Sequence, residues 1–198
     1  MAPPGTYSAQ GFKSADGEIA KIGEPVTFEV VSIVDPAIPA QDIEETLKFQ
    51  MDVAKLQNAV SATSASLNEA LERLTEVQTV LKGNPKASIE MMKQARDLEL
   101  KLKSAAKQLG GDEIKSAKYE QTVPSIGARV GGALFGTMRN TYGVTQTQRD
   151  QVEIARTEFA EVSQTVKSLL AEDVKAFEAS LDEAGIPWTS GRPIPDAK

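Results

Sequence analysis

The sequence predicts a mainly α protein, an elongated antiparallel three-layer bundle of four helices with a small β segment at its N-terminal side. Two observations carry this. Three long stretches place apolar residues at alternating spacings of three and four, and the residues before Pro36 are instead turn-rich and β-branched. A stripe recurring every ~3.5 residues keeps facing the same neighbour, so long seams mean helices packed lengthwise. The expected division is a β segment over residues 1–35 and a helical bundle with a C-terminal tail over residues 36–198.

The β segment begins with a strand from Thr6 to Lys13. Ser14-Ala15-Asp16-Gly17 is a hairpin turn signal, because Asp-Gly accepts the positive φ of tight turns. Glu18–Ile22 is the return strand, and after Gly23-Glu24-Pro25 a third strand is expected over Val26–Val34, covered on both faces. Three strands bury little alone. With their Pro4-Gly5-Thr6-Tyr7 entry they resemble the end of an immunoglobulin-like sandwich; the alternative is a small sheet capping the helices.

The first helix is expected from Pro39 to Leu81, with Asp42, Glu44 and Glu45 complementing its positive end and Gly83 stopping it. Its seam is Val53, Leu56, Val60, Thr63, Leu67, Ala70, Leu74, Val77 and Leu81. Asn84 and Pro85 are expected to open a second helix carrying Met91, Ala95, Leu98, Leu102, Ala105 and Leu109. Asp112–Pro124 reads as irregular. Ser125 caps a shorter helix reaching about Tyr142.

Thr145 and Gln148 form a capping box that opens the last helix, which Gly185 and Pro187 end. Its seam runs through Val152, Ala155, Phe159, Val162 and Val166. It then shifts phase and continues through Leu170, Val174, Phe177, Leu181 and Ala184. First and last helices span roughly 40 residues, or ~60 Å, and the two between them sum to about that. One helix up, two in succession down and one up is the simplest packing. Charge agrees, since a basic second helix lies between two acidic ones.

Composition excludes much chemistry. The chain has no histidine and no cysteine, which removes the usual proton-transfer side chain, thiol nucleophiles and the commonest transition-metal ligands. No enzyme activity, cofactor or metal is expected. A net charge of −6 argues against nucleic-acid binding, since no basic excess meets phosphate. No apolar run approaches the ~20 residues of a membrane span, and from Met-Ala-Pro-Pro-Gly no signal peptide is expected.

The remaining candidates are interaction residues. The glycine-rich run Gly127–Gly136 lacks the ending of a phosphate loop, and Gly127/Gly131 and Gly132/Gly136 read as close helix packing. Lys101 belongs to the basic helix, either a solvated face or an anionic-ligand patch. Trp188 either stacks on a sugar or pins the tail onto the fold. Val30 lies on a strand whose edge seeks a partner.

Thr145-Gln146-Thr147-Gln148-Arg149-Asp150, Ile154-Ala155 and Glu158-Phe159-Ala160 form a distinctive set with Ala184-Gly185-Ile186-Pro187-Trp188-Thr189-Ser190-Gly191-Arg192. Together with Pro124-Ser125-Ile126, Arg129 and Phe28-Glu29-Val30-Val31, they resemble the C-terminal region of bacterial sortilin-like (VPS10/BNR-repeat) β-propeller proteins, often labelled glycosyl hydrolases. The likeness spans about Gly5 to Pro195. Gln148 stands where that family's pattern has a histidine, which leaves its capping role intact.

The resemblance implies a non-catalytic structural and association module of a larger exported protein, periplasmic, cell-surface or secreted. Its partner would be the propeller domain in cis, another protein or a second copy of the chain. The alternatives are a glycan-binding module and a glycoside hydrolase resting on two carboxylates.

Overall fold

The computed structural model describes residues 4–31, 42–140 and 142–194. The chain is mainly helical with a two-stranded antiparallel sheet at its N-terminal side. The boundary expected at Asp35-Pro36, and Pro39 as a helix start, lie outside the described residues.

β1 (Gly5–Ala15) and β2 (Glu18–Val30) form a hairpin. Asp16 and Gly17 turn it at φ 51° and 84°, the primed geometry whose twist matches the strands. The third strand expected from Val26 is instead the continuation of β2. Gly23-Glu24-Pro25 is a bulge within one strand: Ala9 pairs with Val26 and Gly11 with Ile22, so Gln10 alone opposes three residues. The Gln10 side-chain amide donates to the carbonyls of Gly11, Ile22 and Gly23 at 3.0, 3.1 and 3.2 Å, occupying acceptors that the broken ladder leaves free. The expected cover on both faces is also absent among the described residues, and Val26 and Phe28 are exposed.

α1 (Ile43–Gly83) is capped by Asp42, whose carboxylate accepts the Glu45 N–H at 2.9 Å. α2 (Ile89–Gly110) starts later than expected. Asn84 organises a turn rather than a helix: its carbonyl accepts the Ala87 N–H and its side chain the Lys86 N–H. Ser88 then caps α2 through the Met91 N–H. A short helix, α3 (Glu113–Ala117), occupies the stretch expected to be irregular, capped by Asp112. α4 (Ile126–Met138) is capped by Ser125 and stops short of Tyr142.

α5 (Gln146–Ser168) begins with both halves of the Thr145–Gln148 capping box. A π turn over Leu169–Asp173 joins it to α6 (Val174–Glu183). This turn is the physical form of the phase shift. Leu169 and Phe177 are both buried, yet eight α-helical residues would set them roughly 80° apart; the residue absorbed by a π turn brings them back onto one face.

Contacts fix the order. Gln78 of α1 meets Glu99 of α2, Gly127 of α4 lies against Leu109 of α2, Gly136 meets Gln148 and Arg149 of α5 pairs with Glu45. α1 therefore runs up, α2 and α4 run down in succession, and α5–α6 runs up beside α1. The three seams form one core in which every assigned seam residue is buried or half-buried, and this burial is the main source of stability.

The glycine run packs closely, as expected, at two of its four positions, Gly127 and Gly136. A Cβ on Gly127 would sit 2.9 Å from the Leu109 carbonyl oxygen, one on Gly136 2.6 Å from Gln148 Nε2 and one on Gly131 3.8 Å from Gln57; Gly132 faces open space. Arg129 between them reaches across to Gln151 and Glu158 of α5.

Candidate functional site

The three residues singled out by sequence lie in three separate places. Val30 ends β2, half-buried and paired with Gly5. Tyr7/Phe28 and Ala9/Val26 share its face of the hairpin, with Thr6/Glu29 and Ser8/Thr27 on the other. The Tyr7 and Phe28 rings stack at 6.1 Å. The result is a ribbon with one apolar and one polar face.

Lys101, on α2, donates to Asp173 of the π turn at 2.8 Å. The two line a groove of about 380 Å³ between α2 and α6, with Leu98 and Phe177 among its walls. Its neighbours on α2 are also engaged: Arg96 and Lys103, with Gln78 of α1, converge on Glu99, and Lys107 meets Asp112. The Gln78 amide, followed by Lys103 and Arg96, holds the Glu99 carboxyl well below its ordinary value of 4.5, at about 2. Lys107 and the Lys115 N–H likewise lower the Asp112 carboxyl. The basic helix pairs these charges with neighbouring carboxylates while their side chains stay more than half exposed.

Trp188 is 49% exposed, and its indole N–H donates to the carbonyls of Arg192 and Pro193 at 3.0 Å each. It ties the tail to itself. The chain that follows Trp188 borders a groove of about 700 Å³ between α1, α6 and the tail. Ser66, Ala70, Leu170 and Val174 contribute to its lining, together with two ion pairs, Arg73–Glu178 and Arg192–Asp182. Glu69, Glu178 and Asp182 gather here because α1 and α6 run parallel and bring them to one side.

Arg192 is the residue that sequence reasoning passed over. Its side chain is 1% exposed and also donates to the Pro187 carbonyl at 2.9 Å. The one signal for it was its place in Gly191-Arg192-Pro193, at the end of the tail motif. Arg73 and Glu178 are 105 residues apart and carry no local signature at all.

Among the described residues, no group of three His, Cys, Asp or Glu side chains is placed to hold a metal ion, and no helix is long and apolar enough to cross a membrane. Comparison with protein-family models, curated proteins and solved structures finds no match.

Proposed function

We propose that this chain is a non-catalytic structural and association module, the C-terminal part of a larger exported bacterial propeller protein. The observation that carries this reading is the hairpin. An isolated two-stranded ribbon is marginal in water, and this one turns Phe28 and Val26 outward on a face shared with Tyr7. Such a face gains stability from being covered, and the strands of an immunoglobulin-like sandwich are the surface it would complete. The helical rod is then the spacer behind it.

Two details favour this over ligand chemistry at the residues first considered. The Trp188 N–H donates to backbone carbonyls and Lys101 pairs with Asp173, so each already has a structural role.

The test places a photo-crosslinking residue at position 28 and irradiates the protein as its native host produces it. Adducts to a β-sandwich segment, in the same polypeptide or another, support the reading. Their absence, with a monomer by light scattering that Val30→Pro leaves unaltered, removes it.

A further inference from the structure

The tail after α6 has two parts with different attachments. Gly185, at φ 64°, and Ile186 complete a Schellman motif, donating to the carbonyls of Asp182 and Leu181 at 3.0 Å each. Ile186 is buried in the core beside Leu181. This first part belongs to the bundle.

Beyond Ile186 the chain bonds mostly to itself. The Arg192 N–H donates to the Thr189 carbonyl, the Arg192 guanidinium to the Pro187 carbonyl, and the Trp188 indole to the Arg192 and Pro193 carbonyls. These bonds close residues 187–193 into a loop. Among the described residues, one side-chain bond links that loop to the helices, Arg192 to Asp182 of α6, and Gly191 lies close against the Arg73 side chain.

The closed arrangement also carries polar penalties. Arg73 Nε, Arg192 Nε and Thr189 Oγ1 are buried without a hydrogen-bond partner. Water would satisfy all three if the loop lifted, so the closed form sits nearer to opening than the apolar seams do.

We propose that residues 187–194 are a strap, hinged after Ile186 and bolted by Arg192, which swings off the α1–α6 groove while the bundle stays folded. Opening removes the wall of the groove formed by Gly191, Arg192, Pro193 and Ile194. It also uncovers Arg73 and releases Asp182 from its guanidinium partner. The device is conformational: it controls how much of the groove, and which charges in it, meet the solvent.

The chain itself supplies the reporter. Trp188 is its one tryptophan and lies in the strap, so its emission follows the strap while circular dichroism at 222 nm follows the helices. Arg192→Ala removes the bolt. Gly191→Ala leaves the polar partners of Arg192 in place but drives a methyl group into the Arg73 guanidinium from a φ of 81°. Trp188 is 49% exposed with the strap closed, and acrylamide quenching should rise as the strap leaves the helices. A red shift and this rise in either variant, with the helical signal intact, support the strap. No change in either variant overturns it. So does a change that comes only with loss of helix, since the segment would then be part of the bundle.

Discussion

Gly127 of α4 lies against the carbonyl of Leu109 in α2, so that a Cβ on the glycine would fall 2.9 Å from the oxygen. The two shorter helices meet end to end in the middle layer, and this contact is where the second joins the first. Gly132, five residues on, has nothing within reach of an added methyl group. Gly127→Ala should therefore destabilise by ~1–3 kcal/mol through overpacking, while Gly132→Ala should stabilise by roughly 0.5–1 kcal/mol through helix propensity. Denaturant midpoints moving in opposite directions would bear this out; equal shifts would not.

Adjacent residues of α2 give a second contrast. Leu102 is fully buried, whereas Lys101 has more than half of its side chain exposed and holds one ion pair. Leu102→Ala should cost ~2–5 kcal/mol and Lys101→Ala ~0–1 kcal/mol. Thermal melts of comparable position for the two variants would refute the assigned faces.

The Glu99 cluster predicts a pH dependence. Its carboxyl is held at about 2 against an ordinary 4.5, a depressed value, so it adds stability that is complete above pH 4.5 and is lost as pH falls toward 2. Wild type should exceed Glu99→Gln in stability at pH 6, and the difference should shrink through that window. A difference that stays constant down to pH 2 would show that the cluster is not responsible.

The π turn makes an unusual deletion tolerable. Removing Ala171 from Leu169–Asp173 should convert the π turn to regular α-helix and leave the Val166, Phe177 and Leu181 seam aligned. Removing Arg156 from α5 should rotate Val162 and Val166 by ~100° off the core and unfold the bundle. Circular dichroism and melting of the two deletions decide it, and equal outcomes would count against the register described.

The fold was legible where burial repeats along the chain. Leu67, Leu102 and Leu181 announce themselves by their spacing, and even the phase shift after Val166 had a structural cause in the π turn. Caps at Ser125 and Thr145 were equally plain, because a cap is a local bond between neighbours in sequence. The β2 bulge was not, since Gly23-Glu24-Pro25 reads as a break and the Gln10 amide that bridges it lies 12 and 13 residues away. The groove pairs Arg73–Glu178 and Arg192–Asp182 were invisible for the same reason. A polar contact between helices, such as Arg73–Glu178, leaves no period behind, and neither does the tail contact Arg192–Asp182.

The parallel course of α1 and α5–α6 has a mechanical consequence. The chain enters the bundle at Ile43 and leaves it past Glu183 at the opposite end, ~60 Å away along a 41-residue helix. Tension applied at those two points runs along the helix axes, so it slides the layers past one another and strains every seam contact together. Layers joined as a hairpin, with both ends on one side, would instead peel apart one contact at a time. This arrangement makes the bundle a tie that resists stretching along its length.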